Sequence, residues 1–156
     1  MMVTIREARG CDAAALALLQ KEAFLPLWER YHDRGNPYLR GEEDILPRIG
    51  NPKYRYFCIF VDGVLVGGIF YGIRGEGEYY LHRLYVKPEV QGFHVGREAI
   101  RLCEERFVDA KRYLVDFPVD LEKNRRCYEA AGFADTGIRK EAEPGLVLAY
   151  FEKVVG

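Results

Sequence analysis

Apolar and polar positions alternate over residues 3–8, the two-residue period of a half-buried strand. From Asp12 the period lengthens. Leu16, Leu19 and Ala23 share one helical face, which predicts a helix over 12–24 that Pro26 ends. Residues 27–40 are irregular and aromatic, and 42–49 reads as a short helix closed by Gly50-Asn51-Pro52. Two apolar runs, 56–61 and 64–74, flank Asp62-Gly63, a two-residue hairpin signal. Gly67-Gly68 within the second run marks a bulge or a close backbone approach. After a glycine-rich turn, 78–86 is a further strand. Residues 95–108 form a helix with Val95, Ala99, Leu102, Cys103 and Phe107 on its apolar stripe. A strand over 113–119 leads to Asp120, a good helix cap, then to a helix over 121–131 stopped by Gly132. Residues 133–140 and 146–153 form a last hairpin. The order β-α-α-β-β-β-α-β-α-β-β predicts an α/β (α+β) fold. It is a single domain over 1–156, with a mixed, mainly antiparallel sheet flanked by helices.

Composition narrows the function more than the fold. Lysine plus arginine is 23 and aspartate plus glutamate 24, a net charge of −1, which argues against a nucleic-acid partner. No apolar run approaches the roughly 20 residues of a membrane span, so no membrane partner is expected. The opening residues meet Arg6, Glu7 and Arg9 instead of a signal peptide's apolar stretch. Cys11, Cys58, Cys103 and Cys127 are widely spaced without a C-x-x-C pair. They read as buried free thiols, with no metal site, in a cytoplasmic protein.

The chemistry concentrates in Leu84-Tyr85-Val86-Lys87-Pro88-Glu89-Val90-Gln91-Gly92-Phe93-His94-Val95-Gly96-Arg97: a strand, a proline turn, a polar glycine loop and a helix start. Backbone N–H groups at a helix N-terminus lack helical partners and, with the helix dipole, make a site for an anion such as a pyrophosphate. A nucleotide-type cofactor is therefore expected.

Two segments, in this element order, resemble the GCN5-related N-acetyltransferase superfamily. Its signature of Gln or Arg, two residues, Gly, one residue, then Gly or Ala is matched by Gln91-Gly92-Phe93-His94-Val95-Gly96, followed by Arg97. Its asparagine-to-tyrosine helix ending in Gly-Phe is matched from Asn124 through Tyr128 to Gly132-Phe133. The resemblance implies acetyl-coenzyme A (acetyl-CoA) as cofactor. The amides of Gly92 to Arg97 would hold the pyrophosphate, the strand residues Leu84, Tyr85 and Val86 would pair with the pantetheine arm, and Asn124 would lie near the cofactor. His94 stands where the family pattern usually has glycine, and histidine is tolerated in the left-handed backbone region that such a position requires.

The same resemblance makes Tyr128 the proton donor to the departing sulfur. It offers His82 as the base, directly or through water. The two-residue period puts His82 on the strand face of Leu84 and Val86, together with Tyr80. The acceptor, a small-molecule amine or a peptide, would bind between the N-terminal helices and the central strands, near Trp28, Tyr31 and Tyr80. Glu42, Glu43 and Asp44 offer charge that could attract a cationic amine, but read first as a solvated helix start, where the dipole favours acids. Transfer of an acetyl group to a primary amine by direct attack is the leading expectation. A protein N-acetyltransferase and a CoA-binding regulatory module without turnover stay open, as does a homodimer.

Overall fold

The structure is a computed structural model that describes residues 1–92 and 94–156. Its strands are β1 (Val3–Glu7), β2 (Tyr54–Val61), β3 (Val64–Ile73), β4 (Glu78–Val86), β5 (Arg112–Pro118), β6 (Ala134–Glu143) and β7 (Leu146–Val154). The helices are α1 (Ala13–Tyr31), the short α2 (Glu42–Ile45), α3 (Val95–Arg106) and α4 (Glu122–Ala130). The seven strands form one sheet in the order β1-β2-β3-β4-β5-β7-β6, antiparallel at every pair except β4–β5. The element order is the one the sequence predicts.

The sheet separates two cores. On one face Val95, Ala99, Ile100 and Cys103 of α3 and Tyr128 of α4 pack on Phe57, Ile69, Leu81, Val115 and Phe151. On the other, Leu16 of α1 and Ile45 of α2 pack on Tyr56, Phe70 and Tyr85. No helix among the described residues is long and apolar enough to cross a membrane.

Three local expectations change. Helix α1 does not stop at Pro26 but runs on to Tyr31, where His32 closes it in the left-handed region at φ 49°. An interior proline costs about 3 kcal/mol. Pro26 is exposed, so the carbonyl it leaves without a donor can meet water, while Trp28 and Tyr31 anchor the far end of the helix. Asp120 does not cap α4, whose N-cap is Leu121, because its carboxylate binds Arg30 and Tyr31. The expectation that His82 shares a face with Leu84 and Val86 is also overturned. The β3–β4 register runs from Phe70↔Arg83 to Tyr71↔Leu81 and skips His82, a bulge that breaks the two-residue alternation. Leu84 and Val86 belong with the α3 core, whereas His82 stacks on Phe70 and Tyr80 on the α1–α2 face.

Candidate active site

Strands β4 and β5 pair from Glu78↔Arg112 to Leu81↔Val115 and then part. Beyond that vertex, the β5-side edge of β4 has no strand partner among the described residues. Lys87 donates its N–H to the Val66 carbonyl of β3, so in an antiparallel ladder Tyr85 also turns its backbone groups to β3, while those of Leu84 and Val86 face the opening. Tyr85 thus departs from its expected role: its backbone pairs with β3 and its side chain is buried with a 2.7 Å hydroxyl contact to Tyr56. Gln91 is committed through its side chain as well, donating at 2.7 Å to the Val86 carbonyl and tying the loop to the end of β4.

The loop then opens α3. The Glu98 N–H donates to the His94 carbonyl at 3.0 Å, and the N–H groups of Val95, Gly96 and Arg97 ahead of it have no helical partner among the described residues. Gly92 at φ 87° and His94 at φ 60° both occupy the left-handed region, as expected of a histidine in a glycine's place. Gly96 lets the helix close in: an added Cβ would stand 3.3 Å from Leu84 Cδ2 and 3.7 Å from Cys127 Sγ. Phe93 lies outside the described residues. Free amides at a helix N-terminus beside an unpaired strand edge fit the pyrophosphate and pantetheine arm of coenzyme A.

Asn124 and Tyr128 lie four residues apart on α4, on one side of the helix. Tyr128 is 6% exposed. Its ring stacks on Phe117 of β5 at 5.2 Å, past the point where β4 and β5 separate, and meets Phe133 edge-on at 5.8 Å. Burial raises its pKa far above the ordinary value, so the phenol stays protonated. Its hydroxyl donates to no other described residue.

The opposite face of the sheet carries the residues that the sequence places toward the acceptor. His82 lies over Gly72, where a Cβ would stand 2.5 Å from its Nε2, and stacks on Tyr80 with centroids 4.8 Å apart. Desolvation, then the positive fields of Arg74, Arg48 and Arg83, lower its pKa to about 4, so the imidazole is neutral at physiological pH. The Tyr80 hydroxyl donates in a short contact to Asp116 of β5. Trp28 stacks on Tyr38 at 6.2 Å, and Tyr31 donates to Asp120 at 2.5 Å. The Arg34 N–H donates to Glu143 at 2.8 Å, so the segment after α1 reaches the β6–β7 hairpin. Asp44 is occupied by Arg83 at 2.6 Å and Arg48 at 2.9 Å, in a shielded ion-pair cluster instead of a solvated helix start. Asp116 and Gly72 carry no sequence signal: one is a polar residue in a strand of alternating burial, the other a strand glycine whose purpose appears only with the ring above it.

A sheet split between β4 and β5, with free helix amides at one side of the gap and a protonated phenol beside it, defines an acyltransferase that uses a coenzyme A thioester. A sequence profile of the acetyltransferase (GNAT) family matches residues 14–133, and the chain belongs to that family. It is by that membership an acyl-CoA-dependent acetyltransferase, with acetyl-CoA as its cofactor. No curated protein matches the sequence. Among solved structures, the PaiA N-acetyltransferase from Thermoplasma acidophilum in complex with coenzyme A is similar with a TM-score of 0.80 and 20% identity, over 99% of this chain and 100% of that one. A spermidine N-acetyltransferase SpeG chimera from Vibrio cholerae and hSSAT gives 0.79 and 17%, over 99% and 96%. The ribosomal-protein-S18-alanine N-acetyltransferase from Escherichia coli gives 0.76 and 17%, over 99% and 95%.

Proposed function

We propose that this acetyltransferase transfers the acetyl group of acetyl-CoA to a small primary amine by direct attack in a ternary complex. The observation that carries this reading is the parting of β4 and β5 after Leu81↔Val115, between the α3 amides and the Tyr128 ring. The Val95, Gly96 and Arg97 amides hold the pyrophosphate, the Leu84 and Val86 backbones pair with the pantetheine arm, and Asn124 stands beside it. Bound there, the cofactor supplies a thioester carbonyl and a thiolate leaving group. Tyr128 gives that sulfur its proton, and the amine approaches along the face of His82, Tyr80, Trp28 and Tyr31. The solved structures include enzymes named for spermidine and for a ribosomal protein. The small amine is favoured here because the contacts Tyr31–Asp120 and Arg34–Glu143 draw the segment after α1 across the acceptor side, where a peptide would need an open groove.

With its lowered pKa, His82 acts as a hydrogen-bond acceptor for the amine or a bridging water, and stores little proton at neutral pH. Acetyl transfer to n-butylamine, followed by thiol release from about pH 5 to about pH 9, tests the reading. The rate climbs with pH as the amine loses its proton and shows no inflection at the ordinary histidine value of about 6.5. His82→Gln lowers kcat by no more than about 10-fold, the worth of one neutral hydrogen bond. An inflection near 6.5 that disappears in His82→Gln would restore the base role; absence of thiol release at every pH contradicts the reading itself.

A further inference from the structure

We propose that Asp116 receives the acceptor's ammonium group. In this account, which rests on the acetyltransferase reading, a primary alkylammonium binds the Asp116 carboxylate at the β4–β5 vertex and gives it a proton before attack.

Asp116 is the first β5 residue past the last β4–β5 pair, Leu81↔Val115. Val115 and Phe117 on either side of it point into the α3 core, so its side chain lies on the acceptor face. Tyr150 of β7 is its direct cross-strand partner, and Tyr80, with His82 stacked on it, closes the other side. Tyr80 occupies Oδ2, while Oδ1 has no hydrogen-bond partner among the described residues.

The contrast with the other shielded aspartates decides the argument. Asp12 is paired with Arg6 and Asp44 with Arg83 and Arg48, each within 3 Å. Asp116 has no such cation among the described residues, although a buried carboxylate is costly without one. The nearest source of positive field is Arg74, whose guanidinium stacks on Tyr80 at 4.5 Å from its centroid. A half-buried carboxylate with one open oxygen and aromatic walls is a site for an ammonium group, which gains from both. Burial raises the Asp116 pKa against the opposing effects of Tyr80 and Arg74, which suits it to accept a proton. His82, within the positive fields of Arg74, Arg48 and Arg83, is in surroundings of the wrong sign for a cation.

An ammonium nitrogen loses two protons in becoming an amide. The first moves to Asp116 Oδ1 and later returns to solvent. As the C–N bond forms and the C–S bond breaks, Tyr128 donates its proton to sulfur, and the second nitrogen proton, passed through solvent, restores the phenol. The balance is one ammonium and one thioester giving one amide, one thiol and one released proton.

The test uses Asp116→Asn, which preserves side-chain shape and can still accept from Tyr80, and Asp116→Glu, which preserves charge. Thermal unfolding is followed with n-butylamine, 1,4-diaminobutane and phenethylamine in the absence of acetyl-CoA. The wild type gains Tm with at least one of these amines, Asp116→Asn gains none, and Asp116→Glu retains part of the gain. With acetyl-CoA present, kcat/KM for the amine falls about 10²-fold in Asp116→Asn, while coenzyme A binding by calorimetry is unchanged. An amine-dependent Tm gain of the same size in Asp116→Asn, or none in the wild type with any of the three, overturns the proposal. Because the amine arm omits acetyl-CoA, its failure is distinct from failure of the acetyltransferase reading, which would show as no thiol release by the wild type.

Discussion

Tyr128→Phe lowers kcat about 10²-fold, at the lower end of what general acid catalysis contributes, and leaves coenzyme A affinity and fold intact. The phenol ring is held by Phe117 and Phe133, and phenylalanine keeps both contacts. The hydroxyl makes no hydrogen bond to another described residue, so its removal strands no buried partner. An ordinary thiol pKa of about 8.5 makes the departing thiolate a tolerable but imperfect leaving group at pH 7. The loss therefore falls on kcat and stays short of complete. Single-turnover kinetics with a coenzyme A titration by calorimetry separates the two effects. Unchanged kcat in Tyr128→Phe removes the hydroxyl from the reaction and leaves Tyr128 as a core residue.

Asp44→Ala destabilises the protein by about 3 kcal/mol, because it leaves a mostly buried guanidinium without its counter-charge. Arg83 and Asp44 side chains are each 14% exposed, and Arg83 also donates at 2.9 Å to Gln20, which is fully buried in α1. The cluster thus fastens α1 and α2 to β4 beside His82. Burial alone would raise the Asp44 pKa, but Arg83 and Arg48 hold it below the ordinary carboxylate value. A lowered folded pKa gives stability that is present above the unfolded value of about 3.9 and is lost as pH falls through the folded one. Urea unfolding should therefore show the full difference between wild type and Asp44→Ala at neutral pH and a shrinking one in strong acid. A difference below about 1 kcal/mol at pH 7, the range of exposed pairs, contradicts the buried-pair assignment.

Elements whose cues are local were legible in the sequence. The bounds of β4 follow from its turn glycines and Pro88, and the loop into α3 from its glycines; His94 adopts the left-handed conformation that its place in the pattern requires. Gly67 marks a close approach: a Cβ there would meet the Tyr85 carbonyl at 2.0 Å. What escaped depends on tertiary partners. Helix α1 outruns Pro26 because Trp28 stacks on Tyr38 in the segment that follows it and Tyr31 finds Asp120 far along the chain. Asp120 looks like a cap until Arg30 and Tyr31 are brought to it. The two-residue rule misplaced His82 because one skipped register position reverses the face of everything beyond it. Asp116 gives no signal in a single sequence, since its meaning lies in which neighbours lack a positive charge.

The most direct test of the account is thiol release from acetyl-CoA by the purified protein, with the acetylated product identified by mass spectrometry, over small primary amines and a peptide with a free N-terminus. Stoichiometric thiol release and N-acetylation of a small amine, with slower or no modification of the peptide, is the predicted result. Coenzyme A binding without release for any acceptor, or modification of the peptide alone, would contradict it.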